Sequence, residues 1–275
     1  MSLFFIFIFL TLSLVSFFEY LIFINIGPVY LWIGALILIP TFLIIVGLFI
    51  VFLAIWSLFL SDRYNPSKPN LFYYLLVRNF IYIVFRLFRI VVHQDNNEII
   101  ANLKNALYVS NHVSDFDPML LIWLVKSQPL VCVSKPQNLK IPIGGKFIRY
   151  TGFIPVDREN PREAIVAIKK ACKVINNNYG SVYIAPEGTR NKTDELLLPM
   201  HAGSFKIAVE TKAPIVVVSI RKTREITRKF FLAIKHVFVD YLKVITYDEY
   251  KDLDTNQIKD IVEGLIKEDL IKKGI

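Results

Sequence analysis

Charge is missing from the first part of this chain. Residues 1–60 contain no lysine or arginine and a single acidic residue, Glu19. The formal net charge of +9 therefore sits in the remainder, which carries all 32 Lys and Arg and all but one of the 23 Asp and Glu. Cysteine is scarce too. Cys132 and Cys172 are the only two, with no CxxC neighbour, which excludes a disulfide framework and leaves two reduced core residues. The four histidines, His93, His112, His201 and His236, form no ligand-like cluster with acidic residues, so neither a metal nor a cofactor is expected. GxSxG is absent, which disfavours a serine lipid esterase, although Ser110 and Ser114 lie too close to His112 for sequence to decide. No internal repeat or low-complexity linker interrupts the chain. A basic excess suits nucleic acid, an anionic membrane surface or a phosphorylated substrate. The apolar stretch beside it favours the last two, and without a recognised binding module no nucleic-acid partner is expected.

What is present begins with long apolar runs. Residues 3–24 span about 33 Å as a helix, roughly the thickness of bilayer hydrocarbon. No basic residue precedes this run and no small-residue cleavage site follows it, which argues against a cleaved signal peptide. After Asn25, Gly27 and Pro28, a second run extends from Val29 to Leu60, with Pro40 as a possible kink. Basic residues follow at once (Arg63, Lys68, Arg78), which predicts a cytoplasmic exit and an integral membrane protein with the rest of the chain on the cytoplasmic face. Residues 71–92 form a third apolar stretch. On a wheel at about 100° per residue, Arg86 and Arg89 fall about 80° and 20° from Arg78, so a helix here reads as lying in the interface. The competing reading is a crossing helix whose arginines face a partner.

From about residue 100 the texture changes to short apolar runs alternating with helical stretches. Strands are predicted at 106–110, 130–134, 152–156, 181–185, 215–220 and 235–240, and helices near 118–126, 161–177, 203–211 and 255–272. This alternation predicts an α/β fold, a mostly parallel sheet flanked by helices. The expected organisation is a two-helix membrane anchor at 1–61, an interfacial amphipathic helix at 62–99 and an α/β domain at 100–275. Ligands of such sheets bind beyond the carboxyl ends of the strands.

The chemistry-bearing residues fall at those ends. Strand 106–110 runs into Asn111-His112-Val113-Ser114-Asp115-Phe116-Asp117-Pro118. A carboxylate five residues after a histidine could fix its tautomer and stabilise imidazolium while the other ring nitrogen takes a proton. Asp117-Pro118 is equally what a helix start looks like, an N-cap followed by proline. Residues 135–158 place Pro142, Gly145 and Gly152 before a short strand ending in Asp157-Arg158, where a basic side chain could bind phosphate or where an ordinary loop could simply continue. In Ala185-Pro186-Glu187-Gly188-Thr189-Arg190, Gly188 allows a tight turn, and Arg190 with the Thr189 hydroxyl could grip a phosphate; a solvated turn is the alternative. Ala213-Pro214-Ile215-Val216-Val217-Val218 reads as a buried strand without visible chemistry.

In order and spacing these four blocks resemble the glycerolipid acyltransferase family that includes 1-acylglycerol-3-phosphate acyltransferases. NHVSDFD is similar to its NHxSxxD block, GFIPVDR to its glycine-to-Asp-Arg block, APEGTR to its PEGTR block and APIVVVSI to its final strand. The resemblance covers roughly residues 70–245. It implies His112 as general base with Asp117 as its partner, and Arg158, Glu187, Gly188, Thr189 and Arg190 as residues that bind or shape the acceptor site. Lys135 is a further implied phosphate contact, although Pro136 stands where many members carry a second basic residue. The implied partners are acyl-CoA or acyl carrier protein as donor, lysophosphatidic acid as acceptor, and membrane lipids.

Overall fold

The structure is a computed structural model that describes residues 20, 31–61, 64, 68–157, 160–230 and 233–274. Two compact units divide the chain, Met1–Ser61 and Asp62–Ile275.

Within the first unit lies α1 (Leu31–Leu58), 28 residues without a charged side chain and with Pro40 inside it. Among the described residues no helix is long and apolar enough to cross a membrane. The predicted first crossing, residues 3–24, lies outside the described residues apart from Tyr20. The transmembrane hairpin is therefore not established by the fold.

In the second unit, α2 (Leu71–Leu87) precedes β1 (Ile90–Asp95), β2 (Leu107–Ser110), α3 (Phe116–Leu124), β3 (Leu130–Ser134), α4 (Gly144–Tyr150), β4 (Ile154–Pro155), α5 (Pro161–Asn176) and β5 (Ser181–Ile184). Then come α6 (Lys206–Thr211), β6 (Ile215–Arg221), the one-turn α7 (Glu225–Arg228), β7 (Lys235–Ile245), the one-turn α8 (Tyr247–Tyr250) and α9 (Thr255–Lys272). The strands form one sheet in the order β1-β7-β6-β2-β5-β3-β4. Every pairing is parallel except β6 with β7. This is the α/β fold with a mostly parallel sheet that the alternation predicts.

Each central strand is buried along its whole length, β2 as Leu-Tyr-Val-Ser and β6 as Ile-Val-Val-Val-Ser-Ile-Arg, because helices cover both faces. Alternate residues feed two cores. Leu107, Val109, Ile215 and Val217 pack with α5, α6 and α9, whereas Tyr108, Val216, Val218 and Ile220 pack with α2 and α3. The capping chemistry is local and strong. Asn160 accepts from the Arg162 N–H at 3.1 Å ahead of Pro161 in α5, and Asp254 with Gln257 forms a capping box on α9. Ile258, Val262, Ile266 and Leu270 then recur every four residues as α9's buried stripe.

Three segments depart from the sequence expectation, the first being β7, which continues past its predicted end at 240 to Ile245. The helix predicted through residue 92 stops at Leu87, and Arg89, with φ 52°, turns the chain so that Ile90–Asp95 pairs in parallel with β7. Only part of α2 is turned away from the fold: Tyr74, Ile81 and Phe85 are buried while Phe72, Leu75, Phe80 and Leu87 are exposed. The strand predicted at 152–156 shrinks to Ile154–Pro155, because Gly152 has φ 83° and closes the turn after α4. Cys132 and Cys172 are free and buried, and burial pushes both thiols up to about 12.

Candidate active site

β2, β5, β3 and β4 lie side by side and parallel, so the segments after them emerge at one edge of the sheet. Those segments carry His112, Glu187 to Arg190, Lys135 and Asp157 respectively. β6, parallel to β2 on its other side, ends at the same edge.

His112 and Asp117 meet. The imidazole Nδ1 lies 2.9 Å from Asp117 Oδ2, with the histidine side chain 17% exposed and the aspartate fully buried. Asp117 is not the helix cap that Asp-Pro suggests. The cap is Asp115, and Asp117 stands within the first turn of α3. Its carboxylate reaches back to accept from the Val113 and Ser114 N–H groups, each at 2.8 Å, on the same Oδ2 that faces the imidazole. Oδ1 accepts from the Thr223 hydroxyl at 2.6 Å. A carboxylate that accepts at Nδ1 requires a proton there, which in the neutral ring leaves Nε2 with a lone pair.

The backbone around His112 is held from three sides. Its N–H donates to Glu187 Oε1 at 2.6 Å, and its carbonyl accepts from the Asn191 N–H at 2.7 Å. The preceding Asn111 makes a two-point clasp with Ile220 of β6, its side-chain Nδ2 donating to the carbonyl and its Oδ1 accepting from the N–H, both at 2.8 Å. Glu187 also accepts from the Leu198 N–H at 3.1 Å, so its side chain ties two loops together. Burial pushes the Glu187 carboxyl up to about 7, against the lowering effect of the two N–H donors.

Of the remaining predicted residues, Thr189, Arg190 and Lys135 reach the surface. Gly188, with φ 75°, makes the tight turn its sequence suggests, Thr189 is exposed, and Arg190 pairs with Asp115. Lys135 is exposed just beyond β3. Arg158 lies outside the described residues. Both serines near His112 are turned inward: Ser110 bonds the Tyr183 hydroxyl at 3.0 Å and the Asn111 carbonyl at 2.8 Å, and the Ser114 hydroxyl accepts from the Phe116 N–H.

Sequence reasoning did not single out Thr223, Arg224 or Asn191, and assigned no role to Asn111. Arg224 donates to the carbonyls of Asn191 and Thr193 and so braces the loop after Arg190. Thr223 and Asp117 are 106 positions apart, and nothing local to either residue marks their contact.

A family model described as Acyltransferase matches residues 89–221. The 1-acyl-sn-glycerol-3-phosphate acyltransferase of Cocos nucifera is 31% identical over 162 residues, 58% of this chain and 52% of that protein. The protein of the same name from Haemophilus influenzae is 32% identical over 125 residues, 46% of this chain and 50% of its own length. The chain thus spans about half the length of these relatives. A crystal structure of the 1-acyl-sn-glycerophosphate (LPA) acyltransferase from Thermotoga maritima shares the fold, with a TM-score of 0.61, 21% identity and coverage of 97% of this chain and 96% of that one.

Proposed function

Because a family model described as Acyltransferase matches residues 89–221, we propose that the chain transfers a fatty acyl group to the free hydroxyl of 1-acyl-glycerol-3-phosphate, giving phosphatidic acid. The observation that carries this reading is the His112–Asp117 pair at the carboxyl edge of the sheet, bonded through Nδ1 and with the imidazole 17% exposed. Nε2 takes the proton of the acceptor hydroxyl as its oxygen attacks the thioester carbonyl of acyl-CoA or acyl carrier protein. The carbon–sulfur bond then breaks, and the imidazolium returns the proton to the departing thiolate. Asp117 stabilises that imidazolium and holds the ring in register.

Arg190 and Lys135 supply cationic groups on the rim for the acceptor's phosphate, and Arg158 is a third candidate from its sequence block. The Arg190–Asp115 pair, 40% and 70% exposed, is the kind of surface pair worth about 0–1 kcal/mol, so a phosphate can displace Asp115 at little cost. Glu187 has a different part, since its carboxylate is committed to two backbone N–H groups and shapes the site from beneath.

The lipid acceptor also requires a membrane. In this reading the uncharged, apolar residues 1–60 anchor the chain at the bilayer, the basic residues that follow face the cytoplasm, and the outward side of α2 lies against lipid. Support comes from the uncharged sequence of α1 and from the exposure of Leu43, Ile44, Leu48, Phe52 and Phe59.

The test uses the full chain in detergent or lipid with lysophosphatidic acid and either labelled oleoyl-CoA or acyl carrier protein loaded with the same acyl group. Phosphatidic acid should form, and His112→Ala, still folded, should lose about 10²–10⁴-fold in rate. Product from a different lysolipid or from glycerol 3-phosphate would move the acceptor assignment, and free fatty acid without acceptor would point to an esterase. Full activity in His112→Ala would remove the base.

A further inference from the structure

Thr223 lies two residues beyond the end of the matched family domain and outside all four sequence blocks. Lys222, with φ 63°, turns the chain as it leaves β6, and Thr223 is brought into complete burial beneath α3. Its hydroxyl donates to Asp117 Oδ1 at 2.6 Å. Three other donors reach the Asp117 carboxylate, the His112 ring and the Val113 and Ser114 N–H groups, and all three converge on Oδ2. Oδ1 therefore depends on Thr223, and a carboxylate held through one oxygen can swing about that point, whereas one held through both cannot. Valine would fill the same volume without the hydroxyl, leaving a buried carboxylate oxygen without its donor.

The surroundings tie this contact to the rest of the site. Ile220, three residues earlier, is clasped by Asn111, next to the base. Arg224, one residue later, braces Asn191, whose N–H holds the His112 carbonyl. The strand-exit segment 220–224 thus touches the base from its preceding residue, from its carbonyl and through its carboxylate partner.

We propose that Thr223 is a positioning residue for the His112–Asp117 pair, locking the carboxylate in the rotation that presents Nε2 to the acceptor hydroxyl. The turnover part of this inference rests on the acyl-transfer reading; the geometric part does not. A misplaced base lowers the chemical step without altering acceptor binding, and small displacements of catalytic groups cost up to about 100-fold.

The experiment compares wild type, Thr223→Val and Thr223→Ser in the full chain, with thermal unfolding as a folding control. Thr223→Val should lower kcat by about 10–100-fold with KM within about twofold, and Thr223→Ser, which keeps the hydroxyl, should restore most of it. A second readout is independent of the substrate. In protein labelled with ¹⁵N at its four histidines, with His112→Ala assigning the resonance, the His112 Nδ1–H signal should shift or broaden in Thr223→Val and stay in place in Thr223→Ser. An unchanged signal in folded Thr223→Val overturns the proposal even if acyl transfer is confirmed. A changed signal in a protein that makes no phosphatidic acid supports the positioning while the acyl-transfer reading fails. If Thr223→Val does not fold, Thr223→Ala is measured in its place, and a Thr223→Ser protein with a displaced His112 signal counts against the role.

Discussion

At the scale of single residues, two carboxylates in one site are handled in opposite ways. Asp117 is surrounded by four donors, and its geometry is over-determined. Glu187 is held by two donors at 3% exposure, and burial outweighs them, pushing its carboxyl from 4.5 up to about 7. The folded protein therefore binds this proton more tightly than the unfolded chain does. By linkage, Glu187 makes stability fall as pH rises from about 4.5 to about 7, by something on the order of 3 kcal/mol if the full shift is expressed. Glu187→Gln should abolish that pH-dependent component, because glutamine does not titrate. It should also misplace His112, since an amide offers one acceptor atom to two N–H groups. Denaturant midpoints at pH 5 and pH 7.5 check the first expectation; an equal pH slope in both proteins would assign the titration to another group.

At the scale of elements, α4 and the turn before it show why a glycine sits where it does. A Cβ on Gly145 would lie 2.3 Å from the Leu139 carbonyl oxygen, backbone against which nothing flexible can yield. The spacing of Pro142, Gly145 and Gly152 is visible in sequence as a pattern. Its physical meaning is the close approach of α4 to residues 136–140 and, at Gly152, a left-handed turn against Pro69. Gly145→Ala should destabilise the protein by about 1–3 kcal/mol, read as a lower denaturant midpoint, with loss of activity at temperatures where wild type is stable. An unchanged midpoint would mean that the 136–140 segment moves freely. The other elements follow local rules. β3 at 130–134 and α9 at 255–272 have the bounds that periodicity and capping predict. β1 does not, because Ile90–Asp95 continues an apolar run from α2 and only its pairing with β7 identifies it as a strand.

At the scale of the whole molecule, the two units have opposite compositions, one without lysine or arginine and one carrying all 32. In the proposed function the first holds the second against a lipid surface. Flotation with anionic vesicles should carry the full chain upward. A chain lacking residues 1–61 should float weakly and more so at low salt, since its remaining attraction is electrostatic and is screened within about 8–10 Å at 0.1–0.15 M ionic strength. Equal, salt-insensitive flotation of both would transfer the anchoring role to the outward side of α2.

What the sequence determined by itself was whatever depends on neighbours along the chain: helix caps, the period of apolar stripes, the parallel character of the sheet, and a histidine and aspartate close enough to pair. The four blocks could be ordered into a site because each follows a strand, and parallel strands deliver their ends to one edge. Tertiary structure decided the contacts between those ends. Glu187 turned inward to the His112 backbone, Arg190 paired with Asp115, Asn111 clasped Ile220, and Thr223 completed the Asp117 carboxylate. Hydrogen bonds are made between atoms a few ångströms apart wherever the chain has brought them, and a contact spanning 106 residues leaves no periodicity for a sequence to display.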